Sequence, residues 1–427
     1  MASSPPDSPS PPPRESSNGC SPRVFPKTGF EVIDPEFLVE EEKLPTYNGA
    51  DYYPMRLGNI VGGHYQVVAK LGYGTTSTVW LAKDLNKKRL YKALKVHTRD
   101  AVFEHERSVY DHLRRPVPTE VKEGQTHPGR GHVRAIDEVF MLKGPHGEHE
   151  VFVMAPLGMS LATMQMRQRT GALPTIFVTQ ALLQTLMGLS LLHEADIIHT
   201  DLHADNLLIA MTDDAILTVT EENEFTKPSP RKIVGDRVTQ VSQYVLGGAG
   251  PLTISDLGQA RIGKEHTGIA MPLQYRAPEV ILGMPWGPAV DLWSMGVLAW
   301  SLLEPTGLFD VYAANDGEAN NAHHLAAMTA LLGPPPKAFR DKSMASSKYW
   351  GDDGSWQGAV PLPPTKPLAD RVTTVDGEQK AGFLSFLELC LTWEPEMRLT
   401  PDQMYFHPWL HGKPIPKEEQ EEEAHAA

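Results

Sequence analysis

The sequence predicts an α+β chain in two lobes, a small β-rich lobe followed by a large helical one. Three observations predict it. Strand-like runs crowd residues 65–96, helical patterns dominate after Leu157-Gly158, and only a short connector separates the two. A length of 427 residues leaves room for two separate cores.

The elements follow in order. Residues 1–25 are rich in Ser and Pro and cannot bury enough apolar area to fold alone, so disorder is expected there. Residues 26–64 are expected to be an N-terminal extension packed on the folded body. Alternation predicts strands at 65–71, 78–82 and 90–96, with turns at the intervening glycines and at Asn86-Lys87-Lys88. A helix over 103–113 and a buried strand at 151–154 complete the small lobe, 65–157. The large lobe, 158–412, carries helical patterns at 177–193, 289–303, 322–332 and 380–392. Residues 210–252 form a polar, Pro- and Gly-containing insert with weak periodicity, and 337–376 reads mostly as loop. Residues 413–427 form a solvated acidic tail. No internal repeat is visible.

Composition narrows the classes. Net charge is −14, with 39 Lys+Arg against 53 Asp+Glu, which argues against nucleic-acid binding and suits a cationic partner. Cys20 lies in the low-complexity segment and Cys390 in a helical pattern, so no disulfide is expected and a reducing compartment fits. No signal-peptide pattern and no run of about 18 uninterrupted apolar residues appears, so no membrane span is expected.

The chemistry-bearing residues form a series. In Leu71-Gly72-Tyr73-Gly74-Thr75-Thr76-Ser77-Thr78-Val79, Gly72 and Gly74 let backbone N–H groups approach phosphates, although a plain hairpin turn would explain two glycines equally well. A strand follows rather than a helix, which disfavours a dinucleotide fold. Lys95 sits among apolar strand residues and needs a charge partner. Glu106 is the expected partner because Val109, Tyr110 and Leu113 follow at core-facing spacing, with Glu104 the alternative. His199-Thr200-Asp201-Leu202-His203-Ala204-Asp205-Asn206 places Asp201 and Asn206 five residues apart, the spacing that holds a hydroxyl nucleophile and a metal ion around one phosphate. Both residue types also cap turns. Ser255-Asp256-Leu257-Gly258 adds Asp256, after the apolar Leu252 and Ile254, as the principal metal ligand beside Asn206.

Tyr275-Arg276-Ala277-Pro278-Glu279, Asp291-Leu292-Trp293-Ser294-Met295-Gly296 and Trp393-Glu394-Pro395-Glu396-Met397-Arg398 then follow in order. With these motifs the chain resembles a eukaryotic protein kinase over about residues 60–412. It is most similar to the serine/arginine-protein kinase (SR-protein kinase) family, as a divergent member. That narrower resemblance rests on Tyr65-Gln66-Val67-Val68-Ala69-Lys70-Leu71-Gly72-Tyr73-Gly74, on Ser77-Thr78-Val79-Trp80, and on His-Thr-Asp and Asp-Leu-Gly at Thr200 and Leu257. It rests also on the 256 − 206 = 50 positions from Asn206 to Asp256, where that family carries a variable insert.

The resemblance implies a bilobal protein-kinase-like fold and an ATP-dependent serine/threonine kinase using Mg2+. It implies a nucleotide site between the lobes, made by Leu71, Gly72, Gly74, Val79, Ala93, Lys95, Glu106, Met154 (as gatekeeper), Ala155 and Leu157. It implies Asp201 as catalytic aspartate and Asn206 and Asp256 as metal ligands. A buried Glu279–Arg398 ion pair and an Asp291 that holds the catalytic-loop backbone are also implied. Substrates would be basic or Arg/Ser-rich proteins, and the enzyme is expected to be a monomer in cytoplasm, nucleus or both. Thr200 stands where most kinases carry arginine, so activity independent of activation-loop phosphorylation is expected.

Two positions depart from the pattern. His203 replaces the usual catalytic-loop lysine, and Pro272 stands where threonine is usual. A histidine there is expected to make activity pH-sensitive between about pH 6 and 7. His-x-Asp-x-His-x-x-Asn also resembles the loop of small-molecule kinases, but those lack the Ala-Pro-Glu and Asp-x-Trp-Ser-x-Gly elements found here. A nucleotide-binding pseudokinase is the third reading, and Lys95, Asp201, Asn206 and Asp256 together stand against it.

Overall fold

A computed structural model describes residues 20–87, 90–99, 103–311, 316–364 and 366–415, with Phe103 and Glu104 in backbone only. The Ser/Pro-rich segment up to residue 19, the tail from residue 416 and the Glu104 side chain therefore lie outside the described residues. The chain packs into two units. One gathers residues up to Arg99 with 137–156 and 213–244, and the other gathers 103–136, 157–212 and 245–415. This division differs from the sequence expectation twice: the helix Phe103–Leu113 belongs to the second unit, and most of the insert belongs to the first.

The first unit is built on a six-stranded sheet in the order Ile60–Val61, Tyr65–Tyr73, Ser77–Asp84, Tyr91–His97, Glu148–Met154, Ile136–Lys143. Alternation assigns its faces. Trp80, Leu94, Val96, Val151 and Val153 share one buried cluster with Met55 of the N-terminal extension, and Tyr53 and Leu57 pack beside them. A second, small sheet joins the extension to the insert. Val32–Ile33 runs parallel to Arg231–Val234, which turns at Gly235 (φ +58°) into the antiparallel Arg237–Gln240.

The insert also contains the helix Ala215–Thr226, which weak periodicity did not predict. The reason is chemical. Its buried face includes Glu221 and Glu224 rather than an apolar stripe. Glu221 accepts from Lys83 at 3.0 Å, from Arg23 at 3.0 Å, and from the Tyr91 hydroxyl. Glu224 takes the Ser229 hydroxyl and approaches Arg231 at 3.5 Å. Lys70 on the main sheet is 1% exposed and pairs with Glu41 of the extension. A buried charge is tolerated only when paired, so these contacts hold extension, insert and sheet together.

The second unit surrounds the helix Thr175–Glu194, the one described helix long and apolar enough to cross a membrane. Here it is a core helix: Leu182, Leu189 and Leu192 are fully buried, and it packs against Ala289–Leu303 and Pro401–Tyr405. The helices expected at 177–193, 289–303 and 380–392 appear as Thr175–Glu194, Ala289–Leu303 and Gly377–Cys390. The fourth, expected at 322–332, begins earlier, as Gly317–Leu332, because the Asp316 side chain caps it by accepting from Ala319 N at 3.0 Å. Arg398 donates to both carboxylate oxygens of Glu279 at 2.6 and 2.9 Å and to the Thr392 and Ala289 carbonyls, so the buried guanidinium is fully matched. Cys20 and Cys390 are both free thiols.

Candidate active site

Strand register assembles the candidate residues of the second unit. Leu207–Ala210 pairs antiparallel with Leu252–Ile254, with Leu207 opposite Ile254. The residues just beyond that pair are Asn206 and Ser255, and Ser255 N donates to Asn206 O at 2.8 Å. Asp256 is thereby brought beside Asn206 although 50 positions separate them (256 − 206). The insert does not disturb this, because its base is pinched shut by reciprocal bonds: Ala210 N to Pro251 O and Gly250 N to Ala210 O, both 2.9 Å.

The Asp201 loop is held from below. Fully buried Asp291 accepts from Thr200 N and from His199 N, each at 2.8 Å, and from His193 Nε2 at 2.9 Å. Burial alone would raise its pKa, but the His193 hydrogen bond and the backbone N–H groups keep the carboxylate below its ordinary value. This clamp lets β-branched Thr200 sit at φ +65°, a costly conformation. The Thr200 hydroxyl donates to Gln259 O at 2.8 Å, tying the loop to the segment after Asp256.

Asn206 Nδ2 donates to Asp201 O at 2.9 Å and to Asp201 Oδ2 at 3.2 Å, which turns its Oδ1 away from Asp201. Asp256 is exposed, at φ +63°, and accepts from Gly258 N at 3.3 Å. Glu106 is 6% exposed on its helix, with Val109, Tyr110 and Leu113 buried as expected. Its carboxylate lies against Gly258, where an added Cβ would come within 3.7 Å.

His203 corrects one expectation. Its Nε2 is 3.5 Å from Asp201 Oδ1 and its Nδ1 is 3.6 Å from Asp205 Oδ2. Burial lowers its pKa, but the two aspartates outweigh burial and raise it to about 9. The ring is thus cationic throughout the neutral range, as a lysine would be, and does not titrate between pH 6 and 7. Its Nε2 also lies 3.1 Å from Asn206 Nδ2, within hydrogen-bond distance. Sequence reading singled out His203 but missed Asp205. The only available signal was its i+2 position from His203.

In the first unit, register gathers another set. Val79 pairs with Lys95, and Ala93 pairs with Met154. Lys95 and Ala93 are two apart, so all four side chains share one face of the sheet. Val79 also opposes Gly72. A Cβ on Gly72 or Gly74 would meet nothing within 4 Å, so this turn leaves open space for a ligand's approach. Leu71 is half-buried, and Ala155 is exposed just after the last strand residue. Leu157 opens the strand Leu157–Ser160 and belongs to the second unit.

The donor chemistry fits a hard cation. Asn206 and Asp256 offer oxygens toward a metal, and Mg2+ binds through one or two carboxylates while keeping water and phosphate oxygens. Among the described residues no cluster of three His, Cys, Asp or Glu with metal-binding geometry occurs, so a dedicated all-protein cage is absent there.

Comparison with known proteins is consistent across sequence and structure. The family described as protein kinase domain matches residues 65–410. A serine/threonine protein kinase of Aspergillus fumigatus is 38% identical over 395 residues, spanning 91% of this chain and 95% of that protein. The serine/threonine-protein kinase SRPK of Physarum polycephalum is 29% identical over 412 residues, spanning 88% and 93%. Protein kinase dsk1 of Schizosaccharomyces pombe is 26% identical over 480 residues, spanning 88% and 87%. A crystal structure of a kinase domain matches with a TM-score of 0.63 over 85% of this chain and all of that one. At 21% identity that likeness speaks to the fold alone.

Proposed function

The chain belongs to the protein kinase family, and from that premise we propose that it transfers the γ-phosphoryl group of Mg·ATP to serine or threonine hydroxyls of Arg/Ser-rich proteins. It is a serine/threonine protein kinase. The observation that carries the phosphoryl-transfer reading is the register of Leu207 against Ile254, which brings Asn206 and Asp256 together beside Asp201.

In this reading Asp201 orients the acceptor hydroxyl and accepts its proton. Asn206, through Oδ1, and Asp256 would hold Mg2+, which when bound neutralises phosphate charge. His203 supplies positive charge beside Asp201, where γ-phosphate charge must be met. Lys95 would hold the α- and β-phosphates, and the Gly72–Gly74 turn would cover them with backbone N–H groups. Ala93 and Met154 would face adenine, with the backbone of Ala155 and Leu157 as hydrogen-bonding partners. The net charge of −14 supports a basic substrate.

A peptide array with labelled Mg·ATP tests the reading directly. Labelling of Ser or Thr peptides with basic flanks, lost in Asp201→Ala, is the expected result. Labelling of acidic-flanked peptides instead would overturn the substrate class. Equal labelling by wild type and Asp201→Ala would overturn the catalytic assignment.

A further inference from the structure

The N-terminal extension reaches the glycine-rich turn through one hydroxyl. Tyr52 is 5% exposed, and its OH lies 3.0 Å from Gly74 O and 3.1 Å from Thr75 O. Both acceptors are at the tip of the turn that joins Tyr65–Tyr73 to Ser77–Asp84. Within the turn Gly74 N donates to Ser77 O, and Thr98 N donates to Thr76 O, each at 2.8 Å. The Tyr52 contact differs from these because it comes from outside the sheet, from chain that precedes its first strand.

Tyr52 is itself held on two sides. Its neighbour Asp51 accepts from Arg99 N at 2.9 Å through its carbonyl and from Arg99 Nε at 3.0 Å through Oδ1, which fixes the segment to the end of Tyr91–His97. On the other side lies the insert. Arg237 donates to Gly49 O and sits 5.6 Å over the Tyr47 ring, whose centroid is 5.4 Å from that of Tyr52. A Cβ on Gly49 would meet Arg237 Nη1 at 2.6 Å, so the guanidinium lies directly against this glycine. Burial, followed by the charge of Glu41, pushes the Tyr52 phenol up to about 12, so it remains a donor throughout the neutral range.

We propose that Tyr52 is a positioning residue for nucleotide: it fixes the Gly74–Thr75 carbonyls so that the turn's N–H groups are presented to phosphate, and Arg237 of the insert holds Tyr52 in place. The inference rests on the nucleotide-binding reading of the turn given above. A glycine-containing turn is otherwise free to sample many backbone conformations, and ordering it on binding costs free energy. A pre-ordered turn avoids that cost. The extension and the insert, which carry no catalytic group, thereby bear on nucleotide affinity.

Tyr52→Phe keeps the ring and removes only the hydroxyl. Without nucleotide, backbone amides 72–77 are expected to exchange hydrogen faster than in wild type, with the melting temperature lowered by no more than about 2 °C, the loss of one hydrogen bond. The KM for Mg·ATP is expected to rise about threefold to tenfold, the worth of one hydrogen bond, while the KM for a peptide substrate holds. Arg237→Ala should show the same pattern to a smaller extent, and the double variant should not add to Tyr52→Phe. Unchanged exchange at 72–77 in Tyr52→Phe overturns the clamp. Faster exchange with an unchanged KM for Mg·ATP overturns its role in nucleotide positioning. A wild type that fails to bind Mg·ATP defeats the functional reading instead, and the exchange measurement still decides whether Tyr52 holds the turn.

Discussion

The hydroxyl of Thr200 donates to the carbonyl oxygen of Gln259 at 2.8 Å. A neutral side chain thus ties the loop to the segment after Asp256, from a backbone pinned by Asp291. An arginine at this position would instead offer a cation to an activation-segment phosphate. The segment 259–271 holds a single hydroxyl residue, Thr267. Phosphatase treatment and Thr267→Ala are each expected to leave kcat within about twofold. Thr200→Val, which keeps the branched shape but loses the donor, should lower kcat by about fivefold, the equivalent of one neutral hydrogen bond. A steady-state assay on the three preparations checks both, and a large loss on dephosphorylation would contradict this role for Thr200.

His203 lies within ion-pair reach of both Asp201 and Asp205. If its role is charge, His203→Lys should retain kcat within about threefold, and His203→Ala should lower it by about tenfold or more. Equal rates in wild type and His203→Ala would remove this residue from the reaction.

Glu221 is fully buried beneath Arg23, Lys83 and Tyr91. Removing one side of a buried pair leaves the cations uncompensated. Glu221→Ala is expected to cost about 3 kcal/mol in urea unfolding, and Glu221→Gln distinctly less because it still accepts hydrogen bonds. Equal stability of Glu221→Ala and wild type would mean that the insert helix is not held by these ions.

His324 is fully buried on the helix Gly317–Leu332. Burial, aided by the charge of Arg276, lowers its pKa to about 3. The unfolded chain therefore takes up a proton near pH 6.5 that the folded chain refuses. Stability should be unaffected by this group above pH 6.5 and should fall by about 1.4 kcal/mol per pH unit between pH 6.5 and 3. Urea titrations at pH 7, 6 and 5 should show a shallower slope for His324→Leu than for wild type. Identical slopes would assign the acid loss to other groups.

Much of the fold is legible because its signals are local. The strands Tyr65–Tyr73 and Tyr91–His97 and the helix Ala289–Leu303 follow from apolar periodicity within their own windows. The spacing of Asp201 and Asn206 is local in the same way. The helix Ala215–Thr226 was not legible, because glutamates occupy part of its buried face. The partners of Glu221, namely Arg23, Lys83 and Tyr91, lie 130 or more positions away, whereas Glu224 meets Ser229 and Arg231 just beyond the helix. Residue type alone says that glutamate faces water, and only a distant cation reverses that.

The sequence by itself determined the α+β class, the order of the main strands and helices, and the identities of Asp201, Asn206 and Asp256 as candidates. Each depends on spacing within a short stretch or on residue chemistry. The tertiary structure decided that His203 is a cation set against two aspartates, that the insert packs with the N-terminal extension on the first unit, and that Tyr52 reaches the glycine-rich turn. These outcomes depend on which charges and donors meet after burial. Desolvation makes such pairings decisive, and linear sequence does not record them.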